Sequence, residues 1–420
     1  MRVLPIVVMT ALVGACAVTL LAQTREEDWK QCVSHDPDLS ITGCTPLIQS
    51  GQETGAKLAK AFYNRANAYL RKREYDRAIQ DADEAIRLDP SNALALSSRG
   101  IAHKDKGECD LAIQDYDEAI RLNPSYASAF NNRGIVYVDK GEYDRAIQDY
   151  GEAIRLNPSF ASAFNNRGAA YDAIGDYDRA IQNFDEAIQL NPGYGEALYN
   201  RGIAYFGKSE YDRAIRDYDQ VVRLNPNDAL AFNNRGNAYR GKGEYDRAIQ
   251  DYDQAIKLDP SDKYALRARS TARFLAGDFA GAEPDFAEVL KANPSDAYFA
   301  LWLYLAQART GKDARSVLER NSKQINLTAW PGQAVELYLG SATPAAVLSA
   351  AGDPDLNKDK GQHCEVYFFL AEKALLEGDQ EAARSLLQKA LDTGATREMH
   401  YAAAQAELKR LGTAGTNSHH

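Results

Sequence analysis

The sequence predicts an all-α solenoid of stacked helix–turn–helix repeats, followed by an irregular helical C-terminal region. Three observations predict it. Seven prolines stand at Pro90, Pro124, Pro158, Pro192, Pro226, Pro260 and Pro294, each 34 residues after the last. With that proline at position 32, position 8 reads Ala66, Gly100, Gly134, Gly168, Gly202, Gly236 and Ser270, and position 20 is alanine from Ala78 to Ala282. Bulk recurs as well, at position 4 (Phe62, Leu96, Phe130, Phe164, Leu198, Phe232, Leu266) and, after Ala82, at position 24 (Tyr116, Tyr150, Phe184, Tyr218, Tyr252, Phe286). Small side chains let two helices approach closely, and large ones at helical spacing fill the core between them.

The chain opens with Arg2, then an apolar run from Val3 to Ala22, then the polar Gln23-Thr24-Arg25-Glu26-Glu27. Residues 1–22 therefore read as an export signal or lipoprotein leader. Cleavage after Ala22 gives a polar mature start, whereas cleavage after Ala17 satisfies the small-residue rule through Ala15. Val13-Gly14-Ala15-Cys16 is similar to a lipoprotein box, with Cys16 as the lipid acceptor. An uncleaved anchor is the third outcome, since the run is about long enough to span. All three place the chain in the bacterial periplasm or cell envelope, membrane-associated only through the N-terminal lipid or anchor.

Residues 23–58 form an N-terminal cap, read as loop-rich around Cys32-Val33-Ser34-His35-Asp36-Pro37-Asp38. In an exported protein Cys32 and Cys44 pair, clamping an end that otherwise exposes an apolar face. The alternative is a metal site of Cys32, His35 and Cys44, which lacks a fourth ligand. Cys109 and Cys364 lie in helical patterns as small apolar residues.

The seven units occupy residues 59–296 without insertion. Glycine at position 15, as in Lys140-Gly141-Glu142-Tyr143, ends the first helix, and the X-Pro step stops the second. Two units depart from the pattern. The second carries His103, Cys109 and Ser97-Ser98, and the seventh carries Arg273 and Pro284, the latter expected in the first turn, where N–H groups lack helical partners.

Phe130-Asn131-Asn132-Arg133-Gly134 with Tyr137, then Gly141-Glu142-Tyr143-Asp144-Arg145-Ala146-Ile147, closely resembles the tetratricopeptide repeat family. The resemblance implies a right-handed superhelix whose first helices line a groove for an extended peptide or a partner's helix. In that register positions 2, 5, 6, 9, 12 and 13 face the groove. Position 6 is Asn64, Ser98, Asn132, Asn166, Asn200, Asn234 and Ala268, while position 5 supplies Asn131, Asn165 and Asn233 with Tyr63 and Tyr199. An amide donates and accepts, so this ladder suits the backbone of an extended peptide. The ladder equally suits hydrogen bonding between neighbouring units, and both readings stay open. The candidate groove is Asn131, Asn132, Asn165, Asn166, Tyr199, Asn200, Asn233 and Asn234. Arg267 alone offers a cation at position 5, so a clamp for a terminal carboxylate is not expected. Position 7 is arginine from Arg65 to Arg269, and such a series points to ion pairs between units.

Residues 297–412 abandon the period. Ala300-Leu301-Trp302-Leu303-Tyr304-Leu305-Ala306, the ending Tyr338-Leu339-Gly340, a hairpin of Cys364 to Ala371 with Gly378 to Ala383, and a helix from Glu398 to Leu411 follow in order. This succession resembles the C-terminal half of the bacterial new lipoprotein I family, which implies an adaptor docking an envelope protease and cell-wall hydrolases, often as a homodimer. Residues 413–420 read as a disordered tail.

The formal net charge of −10 argues against nucleic acid and anionic lipid as partners. No nucleophile elbow, zinc-protease helix, phosphate loop or dinucleotide fingerprint occurs, so neither catalysis nor a cofactor or metal is expected. The function predicted is a scaffold or adaptor that binds a protein or peptide partner; the alternative is a self-associating structural protein of the envelope.

Overall fold

The computed structural model describes residues 24–396 and 399–416, all helical apart from turns and loops. The leader and Cys16 lie outside the described residues. The protein divides into two compact units, up to Ala204 and from Tyr205. The division falls inside the helix Gly195–Gly207, the first helix of the fifth repeat.

In the first unit a helix over residues 24–32 and the helix Pro37–Gln49 precede four hairpins. The hairpins pair Gly55–Arg71 with Tyr75–Leu88, Ala93–Asp105 with Cys109–Leu122, Ala127–Asp139 with Tyr143–Leu156, and Ala161–Ala173 with Tyr177–Leu190. The cap is thus largely helical, broken at residues 33–36 and again at 50–54 before the first hairpin. Asp36 explains the restart, because its carboxylate accepts from the N–H groups of Asp38 and Leu39 with Pro37 in the first turn. Cys32 and Cys44 form the expected disulfide, buried against Leu47 and Ala61. The bond uses both sulfurs and so removes the metal-site alternative.

The second unit contains the helix Tyr211–Leu224 and two hairpins, Ala229–Gly241 with Tyr245–Leu258 and Lys263–Ala276 with Phe279–Ala292. Helices Ala297–Arg309, Ala314–Ser322, Gly332–Leu339 and Pro344–Ala350 then follow without the period. The late hairpin pairs Leu356–Leu376 with Gln380–Asp392, and the closing helix runs Met399–Thr416. That helix continues past the expected end at Leu411, so residues 413–416 are helical, while residues 417–420 lie outside the described residues. It packs on both helices of the late hairpin and on Lys263–Ala276. Arg309 ties it down by pairing with Glu372 at 3.0 Å and Glu407 at 3.3 Å, and Arg410 donates to the Leu275 carbonyl at 2.7 Å. Burial first, and the neighbouring charge of Glu407 next, push the Glu372 carboxyl up.

The hairpin geometry follows from its small residues. A Cβ on Gly168 would stand 2.7 Å from Cε1 of Phe184, and one on Gly236 2.8 Å from Cε1 of Tyr252. In the first hairpin the two members change in compensation, position 8 growing to Ala66 and position 24 shrinking to Ala82, each buried. Position 15 takes the left-handed conformation at Gly107, Gly141, Gly175, Gly243 and Gly277, and also at Arg73 (φ 59) and Ser209 (φ 61), where the turn imposes it on side chains that disfavour it. Pro284 departs from the expectation. It is the sixth residue of its helix, beyond the first turn, and removes a donor from the ladder. Arg273, in its unusual place, donates to the nearby Gly281 carbonyl at 3.0 Å and to Asp285 at 2.9 Å.

Candidate partner-binding faces

The asparagines divide into two layers. Position 5 is buried, with Asn131, Asn165 and Asn233 only 6%, 1% and 2% exposed, between hairpins rather than on an open face. Apart from Asn233 Oδ1, which is buried without a hydrogen-bond partner among the described residues, their amide groups are engaged inside the protein. Asn131 Oδ1 accepts from Asn166 at 3.0 Å, Asn165 Oδ1 accepts from Asn200 at 3.1 Å, and Asn165 Nδ2 donates to Glu196 at 3.0 Å. Asn233 Nδ2 donates to Asp262 at 2.5 Å. Burial without partners would cost each amide several hydrogen bonds, so these contacts are what permit polar residues between hairpins.

Position 6 is the exposed edge of the same ladder. Asn132, Asn166, Asn200 and Asn234 are half-buried, as is Tyr199. The amide nitrogens of Asn166 and Asn200 are committed to the preceding hairpin. Asn132 Oδ1 accepts from Asn131 Nδ2 at 3.4 Å. Tyr199 and Asn234 are engaged by neighbours.

Both units carry a cleft built from the positions expected to face a ligand. In the first, a cleft of about 500 Å³ is lined by Tyr63, Asn64, Asn67, Leu70 and Arg71, at positions 5, 6, 9, 12 and 13, with Cys32, His35 and Ile101. In the second, one of about 440 Å³ is lined by Tyr264, Arg267, Ala268, Thr271 and Arg240, at positions 2, 5, 6, 9 and 12. The C-terminal region closes the second cleft with Tyr298, Phe299, Glu365, Met399 and His400. Glu365 is held there by Trp330 at 2.6 Å and Tyr298 at 2.9 Å. Arg240 and Glu365 carry no periodic signal that a sequence reading would isolate, because each is peculiar to its own repeat or to the aperiodic region.

The position 7 arginines other than Arg167 form ion pairs, and Arg99, Arg133, Arg201, Arg235 and Arg269 reach an aspartate of the preceding hairpin as expected. Arg65 binds Asp81 through two N–H groups at 2.7 and 2.8 Å. Arg133 binds Asp149 in the same way, and its Nη1 reaches Asp117 of the preceding hairpin at 2.5 Å. Burial pushes the Asp149 carboxyl up even against Arg133, so the pair fixes geometry more than it stabilises. The acceptors at position 23, from Asp81 to Asp285, recur every 34 residues and were available to the sequence reading as a signal.

Tetratricopeptide repeat profiles match residues 63–127, 196–263 and 267–320, others match 115–148 and 161–194, and a TPR repeat profile matches 134–175. No curated protein matches the chain. Among solved structures, MamA is 29% identical over 38% of this chain and 94% of its own, with a TM-score of 0.37. YrrB, described as a TPR protein with an unusual peptide-binding site, is 26% identical over 45% of this chain and 97% of its own, at 0.40. PilF of Pseudomonas aeruginosa is 21% identical over 50% of this chain and 95% of its own, at 0.46. With the repeat profiles spanning more than half of its 420 residues, the chain belongs to the tetratricopeptide repeat family.

Proposed function

We propose that the protein is a non-catalytic adaptor of the bacterial cell envelope that holds an extended segment of a partner protein on its first-helix faces. Tetratricopeptide repeats are protein-interaction scaffolds, and this chain has the repeat over most of its described length. One observation carries the reading. In each compact unit first-helix residues converge on a cleft, at positions 5, 6, 9, 12 and 13 with amide, aromatic and cationic side chains in the first and at positions 2, 5, 6, 9 and 12 with hydroxyl, aromatic and cationic side chains in the second, which suits a peptide backbone and its side chains together. The half-buried Asn132, Asn166 and Asn200 add amides to the first unit, and Asn234 adds one to the second.

The export leader and the Cys32–Cys44 disulfide support an oxidising compartment. Among the described residues no helix is long and apolar enough to cross a membrane. The resemblance of residues 297–412 to the new lipoprotein I family supports an envelope protease or cell-wall hydrolase as the partner. Photoreactive residues at Asn67 and Thr271, one in each cleft, test the proposal in the native envelope. Recurrent capture of one such enzyme supports it. Crosslinks to a second copy of this chain alone would replace the adaptor with a self-associating structural element.

A further inference from the structure

The arginine series has one member without its carboxylates. Arg99, Arg133, Arg235 and Arg269 each bind a position 23 aspartate and, through Nη1, a position 25 aspartate of the preceding hairpin. Those second contacts are Asp83 at 2.6 Å, Asp117 at 2.5 Å, Asp219 at 2.7 Å and Asp253 at 2.6 Å. At Arg167 both partners are gone, because position 23 is Asn183 and position 25 of the preceding hairpin is Gly151. Arg167 Nε donates to Asn183 Oδ1 at 2.7 Å, and the guanidinium lies 5.6 Å from the ring centre of Phe164. Nη1 and Nη2 have no acceptor among the described residues. Asn183 cannot replace an aspartate, since its amide nitrogen is turned to the Arg179 carbonyl at 2.7 Å.

The place of the absent carboxylate is open. A Cβ on Gly151 would stand 3.7 Å from Arg167 Nη1, with no other close atom. We propose that Arg167, Asn183 and Gly151 form a notch that receives an aspartate or glutamate side chain from a protein partner. The planar guanidinium presents paired N–H groups that match a carboxylate, and the sister positions show that a carboxylate seats there. Half-burial lowers the proton affinity of the Arg167 guanidinium, and an incoming anion offsets that penalty.

The Nε–Hε resonance of Arg167 in the full chain, assigned through Arg167→Lys, is followed while sodium acetate replaces sodium chloride at constant ionic strength. A saturable shift is expected in the wild type and not in Gly151→Asp, where the new side chain fills the notch. An absence of acetate-specific shift, or an equal shift in Gly151→Asp, overturns the site. An end-blocked glycine hexapeptide with one aspartate is then added against its asparagine counterpart. Displacement of acetate by the aspartate peptide alone supports a protein side chain as the source, and displacement by neither overturns that source. The notch rests on the adaptor reading only for where the carboxylate comes from. Cleft crosslinking at Asn67 and Thr271 succeeds or fails independently of the acetate titration.

Discussion

A Cβ on Gly134 would stand 2.7 Å from Cε1 of Tyr150, so the ring of the second helix rests directly on the backbone of the first. Tyr150 is 1% exposed, and its neighbours leave it no room to retreat. The glycine is thus a packing requirement in the middle of a helix, where alanine would otherwise be preferred.

Gly134→Ala is expected to destabilise the protein by about 1–3 kcal/mol, through overpacking that outweighs the gain in helix propensity. In a Tyr150→Ala background the same substitution should cost nothing further, reproducing the natural pair Ala66 and Ala82. Urea unfolding of the four proteins measures the coupling. Equal costs in both backgrounds would refute it.

Arg73→Gly and Ser209→Gly should each stabilise by about 1 kcal/mol, because the turn holds both residues at positive φ. The expected readout is a rise in Tm for each variant. A fall would mean that the lost side chain contributes more than the relieved backbone.

His400 makes the second unit sensitive to acid. It is buried among Trp302, Phe368, Phe369 and Tyr298, and burial lowers its pKa to about 3. The Glu365 carboxylate lies 3.6 Å from Nδ1, yet desolvation outweighs it. The folded protein keeps this ring neutral while the unfolded chain, with its ordinary pKa near 6.5, takes a proton. Its contribution is therefore present above about pH 6.5 and is lost progressively as pH falls towards 3, amounting to on the order of 4 kcal/mol at the acid end. Trp302 fluorescence during denaturant unfolding at pH 7 and pH 4.5 reads the change. His400→Phe should flatten the histidine's share of the slope, and an unchanged slope would sink the assignment.

Cys32→Ser with Cys44→Ser should loosen the cap. The sulfurs close a loop with a sequence separation of 12, which by chain entropy is worth about 3 kcal/mol. Faster amide exchange is expected across residues 24–49, with hairpins from Ala93 onward unaffected, because each repeat is held mainly by its neighbours. Loss of protection throughout the first unit would show that the cap governs more than its own end.

The repeat was legible because its packing rule is strictly periodic. Gly134 and Tyr150, Gly168 and Phe184, and Gly236 and Tyr252 recur in one register, and a period of 34 survives in the letters alone. The position 5 asparagines were harder to place. Whether Asn131 or Asn165 faces solvent or the next hairpin depends on how adjacent hairpins tilt, which no single-helix periodicity encodes. Pro284 was misplaced because helix starts are less legible than helix existence. The gap at Arg167 stayed hidden since the arginine itself never varies; the change lies in Gly151 and Asn183, its partners in space. The cleft formed by Arg240, Arg267 and Glu365 needed the aperiodic region to be positioned, and its sequence offers composition without register.

The recurring arginine contact also makes the length of the first unit an editable quantity. Excising residues 127–160 would remove one whole repeat and join Tyr126 to Ala161 in phase. The helix that then precedes Arg167 would be Cys109–Leu122, and Asp117 would occupy the register place that Gly151 holds now. A shorter chain would thereby acquire the missing ion pair, closing its own notch. Gain or loss of a repeat at this joint therefore switches a surface charge on or off without any point substitution.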